Sequence, residues 1–277
     1  MEKLITINKF QLKLFITTII LCAFYTISSA QNNNDLFYVF NKDWTAAKDF
    51  NNATYFMQTK IENDSTYTCM YYQKNGPMIK WETYKDKNLQ ILNGLFAWYG
   101  SNGNLDSSGI YINGQKDKLW KLGFDDKAQP KITELYENGV LVKKTNYKTK
   151  RVILPNGAEE QLIEPRDKSI NNNKIIPAKY PNGDIAGWID YISANLKTPE
   201  RFVSISGPQT SGTVGVEFVI DSTGKVASVF IYKSREWSVD AEAIRLIKAG
   251  GNWIPAEIDG KKESYTHSQK LTFQVGD

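Results

Sequence analysis

The sequence predicts an α+β protein. A C-terminal domain with two helices and a three-stranded antiparallel sheet, in the order α-β-β-α-β, follows an all-β meander of short Asn-Gly hairpins. Three observations predict this class. Residues 212–233 alternate apolar and polar side chains about a turn, as an antiparallel hairpin does. Apolar residues at helical spacing lie on both sides of that hairpin, and Asn-Gly pairs recur through residues 37–147.

Length and composition favour a folded protein with more than one domain. The chain has 277 residues, which is enough for two domains of ordinary size. Hydrophobic residues make up 41% of the chain and aromatic residues 13%, as expected of folded protein rather than disorder. The formal net charge is only +4, so electrostatics gives no reason to propose nucleic acid as a partner.

Residues 1–30 have the features of a secretory signal peptide. Three lysines precede an apolar run over residues 14–27, and small residues at 28–30 offer a cleavage site before Gln31. The run is short for a membrane span, which needs about 20 apolar residues. We expect a periplasmic or secreted protein after cleavage, and an inner-membrane anchor if the segment is retained. After cleavage Cys69 is the remaining cysteine, so no intrachain disulfide is expected.

Residues 31–150 form the predicted meander. Tyr, Trp and Phe are frequent there and favour strands, while Asn-Gly tolerates the positive φ angles of a tight hairpin turn. The pairs begin at Asn75, Asn93, Asn102, Asn113 and Asn138. Residues 151–178 show little periodicity and several turn-forming residues, so we predict a linker there.

The unit over residues 109–121 resembles the MORN-like repeats of bacterial secreted proteins. The matching positions are Gly109, Tyr111, Asn113, Gly114 and Trp120. Lys118 stands where the pattern has a second Gly, and weaker copies extend the resemblance over residues 70–147. The aromatic residues of this region form either the core of the sheet or an exposed face that binds a partner.

The first C-terminal helix is predicted from apolar residues at i, i+3, i+4 and i+7 spacing. These residues are Ile185, Trp188, Ile189, Ile192 and Leu196. Asp184 is the expected cap, and Pro199 closes the segment. Residues 201–211 are expected to form a loop before the hairpin.

The second helix and the last strand follow the hairpin. Ser238 is the expected cap of the helix, and Asp240 in its first turn suits the macrodipole. Gly250 and Gly251 end the helix. Alternation over residues 265–275 then predicts a final strand with Leu271 and Phe273 on its apolar face.

Residues 179–277 as a whole resemble the TonB C-terminal domain, in the form common in Bacteroidetes-type bacteria. Short motifs recur in the order that the family has them, including Gly-Thr-Val at 212–214 and Gly-Lys-Val at 224–226. The family-motif positions are Pro199, Gly212, Gly224, Trp253, Pro255 and Phe273.

This resemblance implies a periplasmic domain that docks on outer-membrane receptors. In the family, an extended receptor segment adds a strand beside the last strand of the sheet. The residues that this implies for a partner-binding edge are Thr266, Ser268, Lys270, Thr272 and Gln274. The partner would be an outer-membrane transporter or another envelope protein, and a homodimer through the same edge is a further expectation. The alternative is that residues 265–275 are only structural.

Three departures argue against a full energy transducer. The N-terminal segment looks cleavable, and the chain has nine prolines without the Pro-rich spacer of family transducers. Thr198 stands where the family usually has Tyr before the Pro. We therefore expect a non-enzymatic envelope binding protein. A membrane-anchored energy transducer for TonB-dependent transport remains an alternative.

The sequence offers little for catalysis, and we expect neither a cofactor nor a metal. Its single histidine is His267, so histidine-dependent triads and multi-histidine metal sites lack a residue. No Gly-rich phosphate loop follows a strand and opens a helix. A hydrolase of envelope polymers, which would need two facing carboxylates in an open groove on the aromatic region, is the third hypothesis.

Overall fold

The structure is a computed structural model that describes residues 35–63, 65–125, 129–163, 174–181, 184–207 and 209–275. The predicted signal peptide at residues 1–30 lies outside the described residues. In the described part of the chain, no helix combines the length and apolar character needed to cross a membrane.

The first part of the chain is an eleven-stranded antiparallel meander whose strands are neighbours in sequence order. Its strands are β1 (Asp35–Phe40), β2 (Tyr55–Asn63), β3 (Thr66–Gln73), β4 (Met78–Tyr84), β5 (Leu92–Tyr99), β6 (Leu105–Ile112), β7 (Gln115–Phe124), β8 (Pro130–Glu137), β9 (Val140–Asn146), β10 (Arg151–Ile153) and β11 (Glu159–Gln161). We call this sheet the meander.

Asn-Gly pairs form two of the tightest turns of the meander. Asn113 and Gly114 have φ angles of 51° and 82° between β6 and β7, and Asn138 and Gly139 have 49° and 84° between β8 and β9. Positive φ at both positions is the geometry of a two-residue hairpin turn.

The Asn93-Gly94 pair is not a turn, contrary to the sequence prediction. It lies inside β5, where Gly94 has a φ of 121°. A Cβ at Gly94 would lie 3.0 Å from the Thr83 side chain of β4. The pairing of β4 with β5 also shifts register between Glu82 and Tyr84. Gly94, with its positive φ, therefore lies at an irregularity of the sheet.

The linker predicted over residues 151–178 is corrected in part. Strands β10 and β11 extend the meander into this region, because Val152 pairs with Thr145 of β9 and is buried. Residues 175–176 form a further short strand. Low periodicity therefore concealed strands of two or three residues, which are too short to show alternation.

The C-terminal part adds a helix and three short strands to the predicted order. Its elements are β12 (Ile175–Ile176), α1 (Ile185–Asn195), α2 (Glu200–Ser206), β13 (Ser211–Ile220), β14 (Val226–Lys233), α3 (Trp237–Lys248), β15 (Ala256–Ile258), β16 (Lys261–Glu263) and β17 (Tyr265–Gln274). One sheet has the order β14-β13-β17 and the other the order β12-β15-β16. The predicted hairpin and its pairing with the last strand are confirmed.

Helix α2 replaces most of the loop expected over residues 201–211. Pro199 has a φ of −67° at the N-cap, and proline is tolerated where a helix begins because its missing N–H needs no partner there. Phe202 is fully buried and anchors the helix to the core. The same proline that ends one helical pattern thus begins another.

Helix α3 begins two residues earlier than predicted. Glu236, not Ser238, is the N-cap, and its carboxylate accepts hydrogen bonds from the N–H groups of Ser238 and Val239. The meander and the C-terminal part share one hydrophobic core, in which Tyr72, Met78 and Tyr99 join Ile231 and Val239.

Candidate functional site

Strand β17 lies at one edge of the C-terminal sheet. It pairs with β13 along ten residues without a register shift, and no strand in the described ranges pairs with its other side. The predicted binding residues Thr266, Ser268, Lys270, Thr272 and Gln274 are all exposed along it.

The direction of the backbone groups in β17 follows from one hydrogen bond. The N–H of Val275 donates to the Thr210 oxygen at 3.0 Å, which continues the register of the β13–β17 pair. Because such groups alternate in an antiparallel ladder, odd-numbered residues bond to β13 and even-numbered residues point their N–H and C=O outward. The Gln274 oxygen accepts from the Thr198 hydroxyl at 3.2 Å, as this direction requires. The five predicted residues therefore carry the outward backbone groups.

The inner face of β17 is held firmly. Leu271 and Phe273 are buried, and the ring of His267 stacks on Phe218 of β13 with centroids 5.5 Å apart. The Trp188 indole of α1 donates to the Gln269 side chain at 2.9 Å. An incoming strand would therefore meet an edge whose position is already fixed.

The opposite edge of this sheet, β14, is covered by the meander over its C-terminal half. The Tyr99 hydroxyl of β5 donates to the Ile231 oxygen at 2.5 Å, and the Ser234 N–H donates to the Gly103 oxygen at 2.8 Å. Asn104 forms a β-bridge with Lys233. The turn between β5 and β6 thus lies along the C-terminal half of β14.

Other sheet edges in the described residues are short or protected. Beside β1, Phe40 forms a bridge with Ala46 of the following loop. Strands β11 and β16 have three residues each, with the sequences Glu-Glu-Gln and Lys-Lys-Glu. Short, charged edges resist strand addition, whereas β17 is ten residues long.

The family-motif glycines permit close contacts beneath the edge. Gly224 has a φ of 88° in the hairpin turn, and a Cβ there would lie 2.1 Å from the Trp253 oxygen. A Cβ at Gly212 would lie 2.8 Å from the Phe202 ring, which packs on Phe273 with centroids 6.5 Å apart. Pro199 begins α2, and Pro255 lies beside Gly224. These positions support the edge and do not line it.

Aromatic side chains fill one face of the meander. Phe96 and Trp120 are buried in a row between Glu82 and Glu134. Glu82 is bound by Lys80 and Tyr84, each at 2.9 Å. No open groove separates the two carboxylates on this described face, so it lacks the arrangement that the hydrolase hypothesis requires.

Glu134 has corresponding partners in the second half of the meander. Lys144 donates to it at 2.9 Å and Tyr136 at 3.0 Å. Burial favours the neutral acid, but these bonds outweigh it and lower the pKa of Glu134. Burial and the bond to Glu134 raise the pKa of Tyr136 to about 12. At neutral pH Glu134 is therefore ionised and Tyr136 protonated, and the Tyr136 hydroxyl donates its hydrogen bond to the Glu134 carboxylate.

Sequence reasoning missed the role of Asp240. The structure buries this side chain fully at the contact between the meander and α3, with hydrogen bonds from Ser234 and from the Arg235 N–H. An acid in the first turn of a helix has an ordinary explanation in the macrodipole, and no local pattern marks its distant partner Tyr72.

Comparison with known proteins identifies one family. Residues 209–275 match the family described as the C-terminal region of the Gram-negative bacterial TonB protein, which confirms the resemblance found in the sequence. No curated protein shows significant similarity to the chain.

Two solved structures show weak similarity. One is a mutant of S. aureus TarM in complex with fondaparinux, α-GlcNAc-glycerol and UDP, and the other is TarM. Both have 13% identity and a TM-score of 0.25, with 57% of this chain covered. The match spans 25% and 24% of those chains.

Proposed function

We propose, from the match of residues 209–275 to the TonB C-terminal family, that this protein is a non-enzymatic binding protein of the bacterial envelope. Its C-terminal domain docks an extended segment of an outer-membrane transporter by β-strand addition. The single observation that carries this proposal is the free edge of β17, the longest unprotected edge in the described residues.

Strand addition suits the groups that this edge presents. The outward N–H and C=O groups of β17 can pair with the backbone of an added strand, and such bonds give affinity without a deep pocket. Two of the outward oxygens already have a partner, since Lys270 accepts from the Gln269 side chain at 2.8 Å and Gln274 accepts from the Thr198 hydroxyl. Lys270 is the charged residue among the five outward positions, and the others are Thr, Ser or Gln. The surface therefore accepts an extended segment with little charge repulsion.

The cover over the β14 edge favours a single docking site on this sheet. Because the meander covers the C-terminal half of β14, β17 offers an added strand the longer open edge of this sheet. A second copy of the chain would use the same edge, so homodimer formation would compete with transporter binding.

The matched family supports an envelope location. With signal cleavage, the protein would be periplasmic and free; with the segment retained, it would be anchored. Mass spectrometry of the native N-terminus separates these cases, because a chain that begins at Gln31 excludes anchoring by residues 14–27.

Peptide titration tests the proposal. Synthetic peptides from the N-terminal segments of outer-membrane transporters are titrated into the isotopically labelled full chain, with shuffled peptides as controls. We expect saturable amide shifts centred on β17. Absence of binding at millimolar peptide across a panel of transporters, or shifts that avoid β17, would contradict it.

A further inference from the structure

We propose that the turn between β5 and β6 is a pH-sensitive clasp on the edge of β14, held closed by the buried carboxylic acid of Asp240. We call residues 99–104 the clasp. This inference does not depend on docking at β17. It concerns when the second edge of the sheet becomes accessible.

The clasp lies in close contact with the end of β14. A Cβ at Gly103 would lie 2.0 Å from the Ser234 oxygen and 2.9 Å from the Pro77 side chain. Backbone approach this close requires glycine, which also adopts a φ of 78° there. The clasp therefore has one closed position, set by the Ser234 backbone.

Asp240 is linked to the meander through the Ser234 hydroxyl. That hydroxyl accepts a hydrogen bond from the Met78 N–H at 2.7 Å and donates to Asp240 Oδ2 at 2.5 Å. The Arg235 N–H donates to Asp240 Oδ1 at 3.0 Å, and the Tyr72 side chain of β3 lies near the same carboxyl group. Both sides of the interface thus converge on one fully buried acid.

The groups that face Asp240 are neutral donors or acids. Tyr72 approaches from β3, Tyr99 from β5, and Glu236 from the residue before α3. Arg201 of α2 forms an ion pair with Glu236 at 3.2 Å and also donates to the Lys74 oxygen, so its charge is paired with Glu236 and not with Asp240. The groups that donate hydrogen bonds to Asp240, the Ser234 hydroxyl and the Arg235 main-chain N–H, carry no positive charge.

Ionisation of this acid therefore weakens the closed clasp. Burial raises the pKa of Asp240 to about 7, although its hydrogen bonds favour the charged form. In an open clasp water reaches the carboxyl group, and its pKa returns to about 4. The closed form is thus most favoured at low pH. Its opening equilibrium rises by up to about tenfold per pH unit between about 4 and 7 and levels off above.

Opening would expose a second strand edge. The Ile231 oxygen and the backbone of Lys233 would lose their partners in the meander, and the C-terminal half of β14 would become available. Unpaired edges of this kind pair with other chains. The clasp would therefore close the C-terminal half of β14 to strand addition in acid and open it towards neutral pH.

Hydrogen exchange on the full chain tests the clasp. The reporters are the amides of Ser234 and Met78, which bond across the interface, measured from pH 5 to 8 and corrected for intrinsic exchange. We expect their protection to fall about tenfold per pH unit below pH 7 and then to level. Asp240→Asn keeps the shape but cannot ionise, so its profile should be flat. Equal slopes in the two proteins would overturn the proposal.

A glycine pair separates the clasp from general instability. Gly103→Ala forces the clasp away from Ser234 and should lower protection of both reporters at every pH. Gly114→Ala is the matched control, because Gly114 has a similar φ of 82° and nothing lies near its Cβ. If Gly103→Ala leaves the reporters as protected as Gly114→Ala does, the clasp contact does not exist in solution.

Discussion

The hydroxyl of Tyr99 donates a hydrogen bond to the main-chain oxygen of Ile231, which lies 132 positions later in the chain. This bond joins β5 of the meander to β14 of the C-terminal sheet. It covers an oxygen that would otherwise be available to an added strand, and so it distinguishes the two edges of the sheet. The remaining free edge, β17, is the one that the resemblance implies for docking.

Removing the Tyr99 hydroxyl tests this bond. Tyr99→Phe leaves the Ile231 oxygen buried without its partner, which costs about 1–3 kcal/mol of unfolding free energy. Tyr55→Phe is the control, since the Tyr55 ring stacks on Trp44 near the surface with centroids 4.5 Å apart. It should change stability by less than about 0.5 kcal/mol. Denaturant unfolding measures both, and equal effects would show that the bond to Ile231 is absent.

The burial of Asp240 predicts a pH-dependent stability. Its pKa is raised in the folded state, to about 7, so its contribution is greatest below about pH 4 and is lost as pH rises towards 7. Between pH 5 and 7 the wild-type protein should lose about 2–3 kcal/mol relative to Asp240→Asn. Urea unfolding at several pH values measures this difference, and a constant difference across pH would contradict the assigned shift.

The hairpin turn predicts a large effect at Gly224. Gly224→Ala places a Cβ 2.1 Å from the Trp253 oxygen at a φ of 88°, and should cost more than about 3 kcal/mol. Gly260→Ala is matched to it, with a φ of 77° and no neighbour near its Cβ, and should cost about 1 kcal/mol. Thermal unfolding compares the two variants. A similar loss in both would mean that backbone conformation, rather than packing on Trp253, explains the glycine.

The N-cap of α3 predicts that two glutamate-to-alanine substitutions differ in their effect on stability. Glu236→Ala removes the acceptor for the Ser238 and Val239 N–H groups and leaves the Arg201 guanidinium without its carboxylate. A loss of about 3 kcal/mol is expected from these two effects. Glu160→Ala, at an exposed position in β11, should be nearly neutral. If Glu236→Ala is equally neutral, the cap is not formed by this residue.

Local patterns predicted the elements that carry their own signal. Alternation over β13 and the Asp221 turn specified the hairpin, and Asp221 indeed accepts bonds from the N–H groups of Thr223 and Lys225. Helix α2 was missed because it has seven residues and its N-cap is a proline, which also serves as a stop signal.

Non-local contacts were beyond the reach of these patterns. Asp240 satisfies a local rule at the start of α3, and nothing near it in sequence indicates Tyr72 as a partner. The cover over β14 depends likewise on Gly103, which reads locally as an ordinary turn glycine. The candidate edge could be named from the resemblance, but the direction of its backbone groups required the register of β17.

One measurement tests docking at β17 most directly. Ser268 points its N–H outward, so Ser268→Pro removes a docking donor without removing a bond to β13, and proline is tolerated at such edge positions. Ser268→Ala keeps the N–H and is the matched control. In titrations with a transporter peptide that binds the wild type, Ser268→Ala should bind within about twofold and Ser268→Pro at least about tenfold more weakly. Equal affinity in the two variants would show that partners do not dock on the edge of β17.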